Sequence, residues 1–352
     1  MVPAAVSDWF HPLAVCKFKK MDQRDQPNVD HQSVPVLWNG DVYMPGHGYH
    51  MYTTDRKDSI WKYSISSNSW DELPIPCNDS RSYALTTYRS KLLLVGGYTQ
   101  TSETTRDWPG TVWEFDDKKL LFKKSSIEAV PKFDHDCVHN VVSAASQGDY
   151  LIIVHKIRSE NDEYSLKIFD GKSWTIRKGP QASSSGIAHV TVFNEHIFVS
   201  EYADYSQPRI SNIYETSLQS LLSNTSSSSN VWQKLKGTSP VPLWDHSNLL
   251  IHNSHLVIMA SCDFGTQILA YSICHKSWID LGHINESCMN SPPRIVELSD
   301  GELLMMGKGM GPREHAASLY GSRQFDVCRI NPEGAYIQIV CLSYQKLCHI
   351  LL

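Results

Sequence analysis

The sequence of 352 residues lacks three features that would assign it to a familiar class of protein. Its nine cysteines are scattered and never form a Cys-x-x-Cys pair, which indicates neither a disulfide framework nor a zinc site. No stretch approaches the roughly 20 apolar residues that span a membrane, and the N-terminal segment MVPAAVSDWF lacks the basic and apolar regions of a secretory signal. We therefore expect a cytoplasmic protein without a membrane partner.

The chain also lacks an excess of basic charge. It contains 32 Lys and Arg against 37 Asp and Glu, which gives a formal net charge of -5. Proteins that bind duplex nucleic acid neutralise its phosphates with Lys and Arg, so this balance gives no reason to expect such a partner. Residues 307–312 are glycine-rich but follow a predicted strand with no helix after it. They do not indicate a phosphate-binding loop, and we expect no cofactor.

What the sequence does contain is an internal repeat. A short apolar run follows a polar turn six times: DVYMPG from Asp41, KLLLVGG from Lys91, DYLIIV from Asp149, HIFVSE from His196, HLVIMA from His255 and ELLMMG from Glu302. The starts are separated by 50, 58, 47, 59 and 47 residues. A period of about fifty indicates propeller repeats of the kelch length rather than helical solenoids or the shorter WD repeats.

Each apolar run is one of four strands predicted for a repeat. A second β-rich segment precedes the run, joined to it by a turn such as Asn39-Gly40 or Asp300-Gly301. Two further strands follow, each marked by a large aromatic residue; the pairs are Tyr63 with Trp70, Phe115 with Phe122, Phe169 with Trp174, Tyr214 with Trp232, and Tyr271 with Trp278. We interpret these aromatics as packing between neighbouring blades.

The predicted fold is therefore all-β, a six-bladed propeller with four antiparallel strands per blade. The predicted blades span residues 33–73, 83–125, 139–178, 188–236, 247–281 and 293–340, so residues 1–352 are expected to form a single domain. Leu94-Val95-Gly96-Gly97 followed by Trp113, and Ile60-Trp61-Lys62-Tyr63 followed by Trp70, resemble the double-glycine and tyrosine-to-tryptophan signature of kelch repeats. The resemblance implies a kelch-type propeller over essentially the whole chain. The glycine pair is lost in repeats three to five.

Two segments compete to complete the last blade, because an unclosed blade leaves exposed edges. The N-terminal candidate is Phe18–Met21 within residues 14–22, and the C-terminal candidate begins at Tyr336. We favour N-terminal closure, which leaves the tail 341–352 without an assigned place. The Ser- and Asn-rich segment that follows Thr216, SLQSLLSNTSSSSN, is expected to be an expanded loop that buries no core; a phosphorylated or partner-binding loop is the alternative.

Histidines and aspartates ahead of the first strands offer a candidate metal site; they are His135, His139, His189 and His246, with Asp134, Asp136 and Asp245. Three other repeats carry Ser33, Tyr83 and Arg294 at the equivalent point. Because residues of different chemistry occupy this position in different repeats, we favour a structural role for the histidines. We expect no metal and no catalytic residues.

The loops between second and third strands are the favoured binding site, since function on rigid β scaffolds resides in such loops. They span residues 47–58, 98–109, 155–163, 201–208, 262–265 and 308–322. Tyr, Trp and Arg dominate interface hot spots, and the candidates are Tyr49, Tyr52, Arg56, Arg106, Trp108, Arg158, Tyr205, Arg209, Arg313 and His315. We expect a module that binds a protein or an acidic peptide there, in an adaptor or substrate-recognition role. A small-molecule or metal-dependent enzyme with its site at the channel mouth is the alternative.

Overall fold

The structure is a computed structural model. It describes residues 14–15, 34–46, 59–76, 80–100, 106–107, 110–131, 139–157, 163–180, 189–200, 212–223, 231–236, 248–262, 265–285, 294–299, 301, 303–308, 325–331, 338–339 and 348–349. The chain divides into two compact units. The first comprises Met1–Pro27, Ser64–Trp70 and Gly237–Leu352, and the second comprises Asn28–Tyr63 and Asp71–Lys236.

The described strands form consecutive antiparallel sheets, which we number by repeat. Sheet 1 consists, in spatial order, of β2 (Val36–Trp38), β3 (Asp41–Gly46), β4 (Ser59–Ser64) and β5 (Ser69–Pro74). Sheet 2 consists of β6 (Ser80–Tyr88), β7 (Lys91–Gln100), β9 (Val112–Asp116) and β10 (Leu121–Lys124), and β8 (Arg106–Asp107) also pairs with β7. Sheet 3 consists of β11 (His139–Gln147), β12 (Tyr150–Ile157), β13 (Glu163–Phe169) and β14 (Trp174–Lys178).

The later repeats follow the same order. Sheet 4 consists of β15 (His189–Phe193), β16 (His196–Ser200), β17 (Ile213–Ser217) and β18 (Gln233–Lys234), with helix α1 (Leu218–Ser223) after β17. Sheet 5 consists of β19 (Leu250–His252), β20 (His255–Cys262), β21 (Gly265–Ser272) and β22 (Ser277–Asn285). Sheet 6 consists of β23 (Arg294–Glu297), β24 (Leu303–Lys308), β25 (Phe325–Asn331) and β1 (Ala14–Val15).

The fold is an all-β propeller arrangement with four-stranded antiparallel blades. The six apolar runs that the sequence predicts as strands are β3, β7, β12, β16, β20 and β24, the second strands of their sheets. The predicted count of six four-stranded blades is wrong, because five of the sheets in the described part of the chain have four strands and sheet 2 has five. Between β8 and β9, Gly110 has φ +62°, which is not strand geometry.

No helix in the described ranges is both long and apolar enough to cross a membrane.

Tight turns join the first and second strands of several sheets. Both central residues have positive φ in four of these turns: Asn39 and Gly40, Arg89 and Ser90, Asn194 and Glu195, and Asn253 and Ser254. This is the geometry of the two-residue type I′ turn, whose twist matches that of the strands it connects. Asn39-Gly40 follows the residue preference of this turn, whereas Arg89-Ser90 and Asn194-Glu195 adopt it without glycine.

The aromatic residues of the third and fourth strands face each other as the repeat predicts. Three pairs are directly opposite in register, with ring centroids close together: Phe115 and Phe122 at 5.0 Å, Phe169 and Trp174 at 5.1 Å, and Tyr271 and Trp278 at 5.2 Å. Phe115 also makes edge contacts with Trp38 at 5.7 Å and Tyr43 at 5.6 Å, which joins sheet 1 to sheet 2. The aromatics are therefore packing residues within and between sheets.

The core of the second unit lies between neighbouring sheets. Tyr43 and Ile60 of sheet 1 pack with Leu92 and Leu94 of sheet 2. On the other face of sheet 2, Leu93 and Val95 pack with Leu151 and Ile153 of sheet 3. Ile152 and Val154 then pack with Ile197 and Val199 of sheet 4. Alternate residues of each second strand therefore serve two interfaces, which is why these strands are continuous apolar runs.

The edge of sheet 6 is occupied by a segment from the N-terminus. Ala14 pairs with Asn331 and Val15 with Ile330, so β1 lies beside β25. The C-terminal candidate does not take this edge, because β26 (Gln338–Ile339) pairs with β27 (Cys348–His349) in a separate ladder. The tail therefore contributes a strand of its own, and the predicted closing residues Phe18–Met21 lie outside the described residues.

Deletion of residues 1–24 is expected to destabilise the first unit, because it removes β1 and exposes the ladder groups of β25. We expect a loss of about 2–4 kcal/mol, comparable to deleting a large buried side chain. Thermal unfolding of the deletion and of the intact chain measures this loss. Deletion of residues 341–352, which removes only β27 of the small C-terminal ladder, is the control, and equal melting temperatures for the N-terminal deletion and the intact chain would contradict the expectation.

Candidate binding face

The two ends of each sheet differ in the connections that they carry. We call the end with the turn between first and second strands the turn end, and the opposite end, where the second strand connects to the third, the loop end. At the loop end, β3 ends at Gly46 and β4 begins at Ser59, and β16 ends at Ser200 and β17 begins at Ile213. Compared with the turns between first and second strands, the connections at the loop ends are longer, except in sheet 5, where Cys262 and Gly265 bound a short one. The turn end of sheet 4 also carries a long connection, from Ser217 to Gln233 between the third and fourth strands.

The structure describes one of the ten residues that the sequence predicts to bind a partner. Arg106 lies in β8, directly opposite Gln100 of β7. The other nine lie outside the described residues, and their places stay predictions; they are Tyr49, Tyr52, Arg56, Trp108, Arg158, Tyr205, Arg209, Arg313 and His315.

Arg106 belongs to a backbone ladder that extends beyond the rest of sheet 2. The first strand pairs with β7 as far as Ser80 opposite Thr99, whereas β9 reaches only to Val112 opposite Val95. Beyond that point β8 pairs with β7 through Thr99 opposite Asp107. The prediction that residues 98–109 form a loop is therefore wrong in part, because residues 98–100 and 106–107 are strand. We call this three-stranded extension the projection.

A tryptophan packs against the base of the loop in sheet 1. Gly46 is the last residue of β3, and a Cβ atom placed there would lie 2.6 Å from the Cδ1 atom of Trp61 in β4. The indole ring therefore occupies the space that any other residue would need at position 46. The last residue of β3 and the indole ring of β4 are therefore closely packed at the loop end of sheet 1.

Buried polar residues lie at the loop ends of sheets 2 to 4. Tyr83 is directly opposite Gly96, and His189 is directly opposite Ser200. His189 and Ser200 are at most 1% exposed, and His155, on the second strand of sheet 3, is fully buried. The middles of the same strands are apolar. The loop ends of these sheets therefore differ from the strand centres in the polarity of their buried side chains.

The histidines considered as metal ligands divide between described and undescribed residues. His189 begins β15 and is buried, and His139 begins β11. His135, His246 and the three aspartates lie outside the described residues. Within the part of the chain that the structure describes, no group of three or more His, Cys, Asp or Glu side chains could hold a metal ion.

The first strands are joined by a side-chain bond that occurs twice. In the second unit, the Val190 N–H donates to Ser143 Oγ at 3.1 Å. In the first unit, the Ile295 N–H donates to Asn248 Oδ1 at 2.9 Å, and Asn248 Nδ2 donates to the Ile295 carbonyl at 2.8 Å. In both cases the partners are 47 residues apart. The bond fixes the position of one first strand relative to the next. The residue before Ile295, Arg294, is buried.

Sequence reasoning missed a buried lysine in sheet 3. Lys167 in β13 is 1% exposed, and its ammonium group donates a hydrogen bond to the Pro131 carbonyl, in the segment that connects sheet 2 to sheet 3. Burial lowers the pKa of Lys167 to about 8. It shares a face of the strand with Ser165 and Phe169. Phe169 was the only sequence signal that this face is buried, because serine and lysine are typical of a solvent face.

The sequence also missed the helix of sheet 4. The segment predicted to be a loop without a core contains α1, in which Leu218 and Leu221 are 4% and 2% exposed. Both pack with the cluster between sheets 3 and 4. The prediction is therefore wrong for residues 218–223, and the spacing of Leu218, Leu221 and Leu222 was the available signal.

No known family model and no curated protein sequence matches this chain significantly. The all-β propeller class therefore stands on the strand order, the register and the packing described above.

Proposed function

We propose that this protein is a kelch-type propeller that binds a protein or peptide partner at the loop ends of its sheets and has no catalytic role. Among sheets 1 to 6 in the described residues, sheet 2 alone has five strands. Because β6 occupies one edge of β7, β8 and β9 share the other edge, on either side of residues 108–111. The cytoplasm is its expected compartment, on the sequence grounds given above.

The observation that carries the proposal is the difference between the two ends of the sheets. The first and second strands are joined at the turn ends by two-residue turns such as Asn39-Gly40 and Asn253-Ser254. The second and third strands are joined at the loop ends by longer connections in all sheets but sheet 5, and the projection of sheet 2 lies at that end. A strand ladder holds the backbone of Arg106, so a partner that contacts the projection meets a preorganised surface. Rigid presentation reduces the conformational entropy that binding must overcome.

The residue types in the loops suit an acidic partner. Arg106, Arg158 and Arg313 can each bind a carboxylate through two parallel hydrogen bonds, and Trp108 offers a large amphipathic surface. The proposal therefore names a partner with acidic side chains around an apolar or aromatic centre. An adaptor or substrate-recognition role is one use of such a module.

The test is a double substitution, Trp108→Ala with Arg158→Ala, in the full chain. Each hot-spot truncation costs about 2 kcal/mol, so we expect at least about thirtyfold weaker capture of the partner recovered by affinity purification and mass spectrometry. The melting temperature should hardly change, because exposed loop substitutions stay within about 0.5 kcal/mol.

The control is Lys118→Ala, an exposed residue in the turn between β9 and β10, at the turn end of sheet 2. Loss of binding in this variant, together with full binding by the double variant, would assign the partner to the wrong end of the sheets. A stoichiometric transition metal in protein purified without added metal would instead favour the enzyme alternative.

A further inference from the structure

Helix α1 of sheet 4 is held at its C-terminus by an arginine of sheet 3. Arg177 Nε donates to the Leu221 carbonyl at 2.6 Å, and Arg177 Nη2 donates to the Leu222 carbonyl at 3.3 Å. The last carbonyls of a helix have no partner within the helix and carry partial negative charge. The guanidinium group satisfies two of them, so one side chain both caps the helix and ties it to the neighbouring sheet.

The same outer strand also holds the chain where it returns from the insertion. Trp232 Nε1 donates to the Lys178 carbonyl at 3.1 Å. Arg177 and Lys178 are consecutive residues of β14, so the end of α1 and the residue before β18 are both hydrogen-bonded to one short stretch of sheet 3. Apolar anchorage comes from Leu218 and Leu221, which are buried in the cluster between sheets 3 and 4. Helix α1 is thus held against sheets 3 and 4 by apolar packing and by the hydrogen bonds of Arg177.

Two serines on the helix are exposed, one at each end. Ser220 lies in the first turn, where its N–H donates to Ser217 Oγ at 3.0 Å. Ser223 is the last residue, and its Oγ donates weakly to the Ser220 carbonyl at 3.5 Å. Ser223 follows Leu222 directly, so its side chain stands one peptide unit from the carbonyl that Arg177 holds. Both hydroxyl groups are open to solvent.

We propose that Ser223 is a phosphorylation site and that Arg177 is the group that responds to it. A protein kinase would transfer the γ-phosphoryl group of ATP: the bond from Ser223 Oγ to phosphorus forms, the bond to ADP breaks, and the hydroxyl proton passes to a base of the kinase. The phosphate adds a charge of about -1.5 to -2 and strong acceptor oxygens.

The phosphate acts on helix α1 in two ways. It offers Arg177 a bidentate, charge-assisted partner, which competes with the neutral carbonyls of Leu221 and Leu222. It also places negative charge at the negative end of the helix dipole, which destabilises the last turn. Both effects loosen the last turn of α1, because its carbonyls lose Arg177 and its negative end gains negative charge. The pair of Arg177 with the phosphate keeps Ser223 bound to sheet 3.

The experiment places phosphoserine at position 223 of the full chain by genetic incorporation and measures amide hydrogen exchange in residues 218–223. We expect exchange at least about tenfold faster than in the unmodified protein. Phosphoserine at position 220 is the matched control, because the same charge in the first turn interacts favourably with the helix dipole. Unchanged exchange with phosphoserine 223, or equal acceleration by both, would overturn the proposal.

A substitution of Arg177 distinguishes this mechanism from a general destabilisation of helix α1. Arg177→Gln alone should accelerate exchange in α1, and phosphoserine 223 should then add less than about twofold, since the group it recruits is gone. A full additional effect in this variant would contradict the role of Arg177. Use of the site is tested by incubating the chain with ATP and a eukaryotic cell extract; phosphopeptide mass spectrometry should find phosphate on Ser223, and its absence would overturn the assignment.

Discussion

The free energy of unfolding of the wild-type chain, relative to a Lys167→Met variant, is expected to rise by about 3 kcal/mol between pH 8 and pH 10.5. Burial lowers the pKa of Lys167 to about 8, against 10.5 for an ordinary lysine. Between these two values the unfolded chain binds more protons than the folded chain, so stability rises with pH. Each pH unit of that window is worth about 1.4 kcal/mol.

Urea unfolding at a series of pH values measures this difference. Methionine fills a similar volume but cannot donate to the Pro131 carbonyl, and that loss is the same at every pH. Comparison of the two chains also removes contributions common to both. One of these is Tyr43, whose pKa is raised by burial and by Asp41 and Asp117, so that stability is lost above pH 10.

The matched control is Lys172→Met, which changes an exposed lysine in the turn after β13. This variant should keep the wild-type rise with pH. If the Lys167→Met chain rises as steeply as the wild type, the ammonium group is not paying a burial cost in the folded state, and the assignment of Lys167 as a buried cation fails.

Gly110→Ala is expected to destabilise the protein by at least about 3 kcal/mol. Gly110 has φ +62°, and a Cβ atom there would overlap the carbonyl oxygen of Val130. The Val130 N–H donates to the Gly110 carbonyl at 2.7 Å, so the two backbones cannot separate without loss of this hydrogen bond. Backbone strain and overlap with main-chain atoms add in this position.

Gly148→Ala separates the two costs. Gly148 has nearly the same backbone conformation, φ +58°, but a Cβ atom there meets nothing within 4 Å. We expect this control to lose about 1 kcal/mol, the usual cost of a non-glycine residue in the left-handed region. Chemical denaturation measures the free energy of unfolding of both variants. Equal losses of stability would show that the overlap of a Cβ atom at position 110 with Val130 does not contribute.

Much of the fold follows from alternation and turns in the sequence. The second strands were predictable because both of their faces are buried between sheets, which makes them continuous apolar runs. The aromatic pairs were predictable because a short hairpin places them directly opposite each other, as in Phe115 with Phe122. The pairing of β8 with β7 was not, because residues 106–107 lie inside what the spacing indicates is one loop, 98–109.

The features that escaped prediction depend on contacts between distant segments. Lys167 is buried because Pro131, 36 residues earlier, supplies its acceptor. Helix α1 is six residues long, so the spacing of its three leucines is a weak signal beside the Ser- and Asn-rich composition of the segment. It is stabilised by Arg177, 44 residues earlier. The structural propensity of neighbouring residues gives no information on either of these contacts. The sequence therefore indicated a polar face for β13 and a polar loop at α1.

The hydrogen bonds from Val190 to Ser143 and from Ile295 to Asn248 indicate which intervals of the sequence are constrained in length and which can vary. Both bonded pairs are 47 residues apart, and the interval between them, from Val190 to Asn248, contains α1 and is 58 residues. The same bond therefore occurs on either side of this longer interval, once within each unit. Residues 224–230 are accordingly a natural point at which to graft a foreign peptide, because length added there lies outside the spans that the bonds enclose.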